Sequence, residues 1–208
     1  MASRVLAVLG GEDFRIPVLR FWLTWADRIY AADSGADRCL ECGFRPDLVV
    51  GDMDSMRSSV SGLDVREDDD EDRSDADKLF DALRDDGVAE FTLIGFEGDR
   101  LDHVLASLSS AVAADVAVRI ILRRGFGFLG QATTNFGTHS GQRLSVMPLP
   151  AANVSLSGVR WPLDRADMRL GEFVSLSNRA TGPIRFEVHS GSAILFVESD
   201  PEGELKTW

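Results

Sequence analysis

Residues 48–55 read LVVGDMDS, an apolar run that ends at a glycine and is followed by two carboxylates one residue apart. A short, continuous apolar run is typical of a strand that is buried on both faces of a parallel sheet. In such a sheet, ligands bind beyond the carboxyl ends of the strands. The stretch therefore predicts an α/β fold and places Asp52 and Asp54 where a ligand would bind.

Four more apolar runs extend the predicted sheet, and they cover residues 5–9, 28–32, 91–94 and 116–122. Helical patterns lie between them. One has apolar residues at helical spacing over residues 76–83, behind the favourable N-cap Ser74, and another covers residues 101–114. The alternation of strands and helices predicts a Rossmann-like, mainly parallel sheet over residues 1–125.

The pattern changes after residue 125, where glycines, serines and turn dipeptides separate short segments. Several of these segments alternate apolar and polar residues, and they cover residues 143–147, 154–156, 173–176, 184–188 and 193–197. Such a pattern, without a long helical period, predicts an antiparallel β-sandwich. We therefore expect two domains, residues 1–125 and residues 126–208.

The charge of the chain excludes some partners. The 208 residues include 34 acidic and 22 basic side chains, which gives a net charge of −12. This balance argues against a surface that neutralises nucleic-acid phosphates, and it disfavours anionic membranes. No segment approaches the roughly 20 apolar residues of a membrane span, and the N-terminal apolar run is too short for a signal peptide. We therefore expect a cytoplasmic protein.

Asp52 and Asp54 are the first candidate site residues. In extended backbone, residues two apart point to the same side. Two carboxylates on one side repel each other unless a cation lies between them or one of them is protonated. Mg²⁺ suits such a pair when the substrate supplies phosphate oxygens, because it binds through few protein carboxylates and keeps several waters. A solvated turn is the alternative interpretation of an isolated D-x-D pattern.

Two further elements extend this candidate site. Asp75 lies in the first turn of a predicted helix, and Lys78 follows three residues later, so that both side chains project together. The alternative is a helix start with a favourable acid and an ion pair. Arg100 offers a planar fork suited to phosphate oxygens, and Asp102 could bind metal, orient Arg100 or contact the substrate. The alternative here is a loop that leads into a helix.

Polar residues also follow the first two predicted strands. Gly10 and Gly11 come after the first strand, where their backbone could approach a phosphate, and Asp33 and Ser34 come after the second. We therefore count all four as candidate nucleotide-binding residues. The acidic run at residues 67–72 is expected to be a solvated loop whose end approaches the site.

In this order, the motifs resemble those of the thiamine pyrophosphokinase (thiamine diphosphokinase) family. The family pattern runs ADGGAN, PDLxxGDxDS, D-x-T-D and GGRxDH. The counterparts here are ADSGAD at 32–37, PDLVVGDMDS at 46–55, DRSD at 72–75 and GDRLDH at 98–103. In the second half, GVRWPL at 158–163 resembles GLKWxL, and SLSN at 175–178 resembles STSN. The order and spacing are far more specific than any single motif.

The resemblance implies transfer of the pyrophosphoryl group of ATP to the hydroxyl of thiamine, which gives thiamine diphosphate and AMP. It also implies a homodimer with active sites at the subunit interface. Carried over to this sequence, the Mg²⁺ ligands are Asp52, Asp54 and Asp75, the phosphate-binding residues are Lys78 and Arg100, and Asp102 is a further site carboxylate. Trp161 would stack on thiamine, with Ser177 and Asn178 as its hydrogen-bonding partners.

Other functions remain open at this stage. One is a pyrophosphokinase that acts on another hydroxymethyl substrate, such as a pterin, and a second is a non-catalytic sensor of nucleotide or thiamine. A D-x-D glycosyltransferase is a third. Trp161 with Ser177 and Asn178 favours thiamine, and the complete set of aspartates, lysine and arginine argues against a sensor.

Three positions depart from the family pattern. Ser34 replaces a common glycine, Ser74 replaces threonine, and Asp99 replaces the second glycine of GGR. Ser74 keeps a capping hydroxyl, so we expect it to be tolerated. Asp99 adds a negative charge beside Arg100, which leaves the loop geometry and the nucleotide preference open.

Overall fold

The computed structural model describes residues 3–11, 15–54, 56–58, 61–98, 100–114, 116–130 and 133–201. The chain divides into two compact units, Met1–Arg123 and Arg124–Trp208. This division lies two residues before the boundary expected from the sequence, because Gly125 already begins a strand. Asp99, whose effect on its loop was left open, lies outside the described residues.

The first unit alternates strands and helices along the chain. They are β1 (Val5–Val8), α1 (Ile16–Trp25), β2 (Arg28–Ala32), α2 (Ser34–Glu41), β3 (Leu48–Gly51), β4 (Val65–Glu67), α3 (Asp75–Asp85), β5 (Glu90–Ile94), α4 (Leu101–Ala113) and β6 (Ala117–Leu122). The strands lie in the order β6-β5-β1-β2-β3-β4 and pair in parallel. The predicted α/β sheet is therefore confirmed, and β1 and β3 are buried along their whole length.

The strand order determines where a ligand binds in this sheet. From β1 the chain adds β2, β3 and β4 on one side and then returns to add β5 and β6 on the other. A crevice forms at the carboxyl ends of the strands where the order reverses, which here is between β1 and β5.

In the described residues, no helix is long and apolar enough to cross a membrane.

The second unit is an antiparallel β-sandwich, as predicted. Its strands are β7 (Gly125–Leu129), β8 (Thr134–Phe136), β9 (Arg143–Val159), β10 (Leu163–Arg169) and β11 (Ser175–Glu198). They lie in the order β10-β9-β11-β7, and β8 also pairs with β11. Alternate side chains from these strands, among them Val154, Leu156 and Leu195, are buried in one core.

The predicted division of this unit into short segments is wrong. β9 has 17 residues and β11 has 24. Their pairing shifts register at several points, including one between Val188 and Ser190. Each shift breaks the alternation of buried and exposed residues, because an extra residue moves the following side chains to the other face. One long bent strand therefore looks like several short strands in the sequence.

Candidate active site

A cavity of about 840 Å³ lies at the carboxyl ends of the strands in the first unit. Residues that follow four strands line it: Gly10 and Gly11 after β1, Ser34 after β2, Asp52 and Asp54 after β3, and Gly95 after β5. Asp75 and Lys78 of α3 line it as well, together with His103 and Ser107 of α4. The fold thus brings together candidate residues that are up to 68 positions apart in the sequence.

Asp52 and Asp54 converge through a turn. The Asp54 N–H donates to Asp52 Oδ1 at 3.1 Å, and Met53 between them has a left-handed φ of 65°. The prediction of extended backbone at this point is therefore wrong, although the two carboxylates do lie on the same cavity. The hydrogen bond from the Asp54 N–H lowers the pKa of Asp52, and the positive charge of Lys78 lowers it further.

Asp33 joins this pair from the neighbouring strand. Carboxylate oxygens of Asp33, Asp52 and Asp54 lie within 4.8 Å of one another. Asp33 is buried, has a φ of 32° and donates its N–H to the Val50 carbonyl at 3.0 Å. A Cβ at Gly51 would lie 3.2 Å from the Asp33 Cβ, so glycine leaves room for the approach. From the sequence, Asp33 was predicted to bind the nucleotide and was not among the predicted metal ligands.

Asp75 is the first residue of α3 and lines the same cavity. Although it keeps contact with solvent, partial burial in the cavity raises the pKa of its carboxyl. Lys78 opposes this shift, whereas the charges of Asp52 and Asp54 add to it. Asp75 is therefore close enough for the charges of both carboxylates to act on it, and a cation among the three would relieve their repulsion.

Lys78 supplies a buried positive charge to the same cavity. Its side chain is 3% exposed, and its Nζ donates to the Asp68 carbonyl at 2.7 Å. The acidic run at residues 67–72 therefore does more than form a solvated loop, because its backbone holds this ammonium in place. Glu71 and Asp72 of the same run line the cavity.

A capping box fixes the start of α3 and therefore the positions of Asp75 and Lys78. The Ser74 Oγ accepts the Asp77 N–H at 3.2 Å, and the Asp77 carboxylate accepts the Ser74 N–H at 3.0 Å. The Ser74 hydroxyl also donates to the Asp77 Oδ2 at 2.7 Å. Ser74 therefore performs the capping role that the sequence predicted.

Gly10 and Gly11 line the cavity, and their small size allows close packing. A Cβ at Gly10 would lie 2.0 Å from the Ser34 Oγ, and a Cβ at Gly11 would lie 2.1 Å from the Glu97 carbonyl oxygen. The Gly11 N–H donates to the Gly95 carbonyl at 3.0 Å. The Gly11 N–H therefore already has a hydrogen-bond partner within the protein. Because neither glycine has a side chain, the cavity keeps its space at the end of β1.

Arg100 and Asp102 form an exposed ion pair at the start of α4. The Arg100 Nη2 lies 2.6 Å from the Asp102 Oδ2, and its Nε lies 3.2 Å from the Oδ1. The hydrogen bond from Arg100 lowers the pKa of Asp102. Among the described residues that line the cavity, neither Arg100 nor Asp102 is found, although His103, which follows Asp102, is one of them.

The second unit holds the three candidate thiamine-binding residues together. Trp161 is 53% exposed, and the Arg160 guanidinium carbon lies 4.8 Å from the centroid of its ring. The buried Asn178 accepts the Trp161 N–H at 3.2 Å and donates its Nδ2 to the Trp161 carbonyl at 2.7 Å. Asn178 therefore fixes the backbone that carries the exposed indole. Ser177 precedes it with a left-handed φ of 55°.

Comparison with known proteins identifies the family. Residues 19–122, half of the chain, match the model of the thiamin pyrophosphokinase catalytic domain. The chain belongs to the thiamin pyrophosphokinase family. Residues 133–194 match the model of the vitamin B1 binding domain of thiamin pyrophosphokinase, and this range includes Trp161, Ser177 and Asn178.

Two curated relatives from Arabidopsis thaliana are similar to this member of the thiamin pyrophosphokinase family. Thiamine pyrophosphokinase 2 is 26% identical over 179 residues, which cover 75% of this chain and 66% of that protein. Thiamine pyrophosphokinase 1 is 25% identical over 158 residues, which cover 65% of this chain and 58% of that protein. The chain thus spans somewhat less than two thirds of the length of these relatives.

Solved structures share the fold. Thiamine pyrophosphokinase from Bacillus subtilis superposes with a TM-score of 0.77 at 20% identity, over 95% of this chain and 100% of that chain. Thiamin pyrophosphokinase from Geobacillus thermodenitrificans gives a TM-score of 0.78 at 24% identity, over 94% and 97%. At these identities the likeness concerns the fold.

The carboxylates of this family member fit a divalent metal ion. Asp33, Asp52 and Asp54 offer only oxygen donors, and their carboxylates are close enough to share one ion. Oxygen ligands are those that Mg²⁺ prefers, and Mg²⁺ needs few protein carboxylates when phosphates complete its shell. The neighbouring carboxylate Asp75 adds charge of the same sign. Asp33 was detectable in principle from the sheet, because its strand β2 lies beside β3.

Proposed function

We propose that this chain is a thiamine diphosphokinase that transfers the pyrophosphoryl group of ATP to the hydroxyl of thiamine. The products are thiamine diphosphate and AMP. The observation that carries the proposal is that Asp52, Asp54, Asp75 and the buried Lys78 line one cavity, within a region that matches the family's catalytic domain. This combination suits a polyphosphate with a bound cation, because it offers carboxylates for the cation and an ammonium for phosphate oxygens.

In this proposal the first unit binds ATP and Mg²⁺. Asp52 and Asp54 would hold the metal, together with Asp33 or Asp75, and Mg²⁺ would neutralise charge on the polyphosphate oxygens. Lys78 provides a positive charge that needs no rearrangement, because the Asp68 carbonyl already fixes its ammonium. Ser34, Gly10 and Gly11 would then line the nucleotide side of the cavity.

The chemical step is an in-line displacement at the β-phosphorus of ATP. The thiamine hydroxyl oxygen forms a bond to this phosphorus, the bond to the α–β bridging oxygen breaks, and AMP leaves with that oxygen. The hydroxyl proton is lost to solvent or to a nearby base. Asp102 is a weak base because its ion pair with Arg100 lowers its pKa. We therefore propose that Arg100 contacts phosphate and that Asp102 orients the guanidinium.

Thiamine would bind to the second unit through Trp161. The exposed indole offers a face for stacking on an aromatic ring, and the two hydrogen bonds between Asn178 and the Trp161 backbone fix the segment that carries it. Ser177 would add a hydrogen bond to thiamine. The match of residues 133–194 to a vitamin B1 binding domain favours thiamine over a pterin.

We also propose that the protein works as a homodimer. Leu101 and Leu105 of α4 are 73% and 57% exposed, although they are apolar. They lie on the helix that contributes His103 and Ser107 to the cavity. A second copy that covers this surface would bury these side chains and stand beside the site. Sedimentation equilibrium of the wild type and of a Leu101→Glu, Leu105→Glu double variant tests this part, and a monomeric wild type would contradict it.

The activity is tested with purified protein, ATP, Mg²⁺ and either thiamine or a hydroxymethyl pterin. We expect AMP and a diphosphorylated product with thiamine and neither with the pterin. If only the pterin is turned over, the substrate is a pterin and the proposal of thiamine is wrong. Tight nucleotide binding without turnover of either compound would favour a sensor.

A further inference from the structure

Asp37 is a buried carboxylate that the proposed chemistry does not use. It lies in the first turn of α2, and its side chain is 2% exposed. Burial of an ionised carboxylate is costly unless hydrogen bonds and opposite charges compensate for the lost water. The groups around Asp37 therefore indicate what it does.

Both carboxylate oxygens of Asp37 accept hydrogen bonds from one loop. The Arg57 N–H donates to Oδ2 at 2.7 Å, and the adjacent Ser58 N–H donates to Oδ1 at 2.8 Å. The Arg57 Nε lies 3.7 Å from Oδ2 and adds a longer ion pair. Burial alone would raise the pKa of Asp37, but the hydrogen bonds from Ser58 and Arg57 outweigh it and lower the pKa. Asp37 is therefore an ionised clamp on two consecutive backbone amides.

The helix that carries Asp37 is firmly attached to the sheet. A Cβ at Gly35 would lie 2.3 Å from the Val8 carbonyl oxygen, which shows how closely α2 packs on β1. At the start of the helix, Asp33 donates its N–H to the Val50 carbonyl of β3 at 3.0 Å. These contacts give the clamp a rigid base.

The clamped loop also carries the candidate metal ligands. It leaves β3 at Gly51 and reaches the clamp at Arg57, so that Asp52 and Asp54 lie between two fixed points. Ligand groups that are held in place before binding lose less freedom when the ion arrives, and residues behind the ligands often provide this support. The clamp thus holds the segment beyond Asp54, and β3 holds it before Asp52.

We propose that Asp37 is a positioning residue that sets the divalent-cation affinity of the site by fixing Arg57 and Ser58, which follow Asp54 closely in the chain. It does so without touching the ion. This inference rests on the proposed function, because it takes Asp52 and Asp54 as metal ligands. Its test therefore measures cation binding directly, without any dependence on turnover.

The experiment titrates the full chain with Mn²⁺ alone and follows the free ion by electron paramagnetic resonance. We expect Asp37→Ala to weaken Mn²⁺ binding by about 10–100-fold, the usual range for loss of a group behind a metal ligand. Asp37→Asn should weaken it less, because its one carbonyl oxygen can still accept one of the two N–H groups. Arg57→Ala is the matched control, because it removes an exposed guanidinium and keeps the backbone N–H that Asp37 binds. The affinity of this variant for Mn²⁺ should stay near that of the wild type.

A turnover measurement separates positioning from general damage. In the Asp37 variants the Mg²⁺ concentration for half-maximal rate should rise, while kcat at saturating Mg²⁺ approaches the wild-type value. If Asp37→Ala does not fold, Asp37→Asn carries the test. Variants that unfold cooperatively and bind Mn²⁺ like the wild type would overturn the positioning role alone. A wild type that binds no Mn²⁺ would overturn this role together with the proposed metal site.

Discussion

The capping box of α3 offers a quantitative test of how the site is held together. Ser74→Ala removes the side chain that accepts the Asp77 N–H and that donates to the Asp77 carboxylate. The hydrogen bond from the Ser74 N–H to Asp77 remains, because it belongs to the backbone. Loss of a serine N-cap costs about 1 kcal/mol, and the lost bond to a carboxylate brings the expected total to about 1–2 kcal/mol. Ser74→Thr keeps the hydroxyl and is the matched control.

Urea unfolding followed by the helical circular dichroism signal measures this cost, because α1 to α4 all belong to the first unit. With an m-value of about 2 kcal/mol/M, Ser74→Ala should lower the midpoint by roughly 0.5–1 M. The midpoint of Ser74→Thr should stay close to that of the wild type. An Ala variant as stable as the wild type would show that the cap does not hold α3.

The pH dependence of this difference has a definite sign. Burial raises the pKa of Asp77, but the hydrogen bonds from Ser74 and Ser110 outweigh it and lower the pKa. A lowered pKa in the folded state contributes stability that is present above the pKa of the unfolded chain and is lost as the pH falls through the folded value. The part of the Ser74→Ala effect that comes from Asp77 should therefore disappear in acid. A difference that grows as the pH falls would refute the assignment.

Three further substitutions test the site. Asp54→Asn should lower kcat by at least about a hundredfold through loss of a metal ligand while leaving the circular dichroism spectrum unchanged, and near-normal turnover would refute its role. Asp75→Asn should stabilise the metal-free protein at neutral pH and abolish turnover. The pKa of Asp75 is raised in the folded wild type, so its charged form destabilises the fold at any pH above that folded pKa. The stability gained by Asp75→Asn should therefore vanish below the pKa that Asp75 has in the unfolded chain. Urea midpoints in a chelating buffer measure this gain, and an unchanged midpoint at neutral pH would contradict it. Trp161→Ala should raise the KM for thiamine by an amount equivalent to about 1–3 kcal/mol with little change in kcat, and unchanged kinetics would show that the indole has a structural role.

The first unit was largely predictable because its strands are buried on both faces. A continuous apolar run such as 48–50 then marks a strand directly, and the polar residues behind it mark the ligand edge. The N-cap role of Ser74 was equally predictable, because an N-cap depends on local sequence. β4 was not predicted because two of its three residues, Val65–Glu67, are charged, and because, in the part of the chain that the structure describes, it is an edge strand that pairs with β3 alone.

Other features depend on contacts that no local pattern records. Asp33 reaches Asp52 and Asp54 only because β2 and β3 are neighbours in the sheet. The left-handed turn at Met53 brings two carboxylates together in a way that extended geometry did not anticipate. In the second unit, register shifts in β9 and β11 hide long strands behind short periodic segments.

The most direct test of the central claim asks which bond of ATP is broken. The protein is incubated with Mg²⁺, thiamine and ATP that carries a radioactive γ-phosphate, and the products are separated by chromatography. The proposed reaction predicts labelled thiamine diphosphate and unlabelled AMP in equal amounts, without ADP. Labelled thiamine monophosphate together with ADP would contradict it, because that outcome means transfer of a single phosphoryl group from the γ-position.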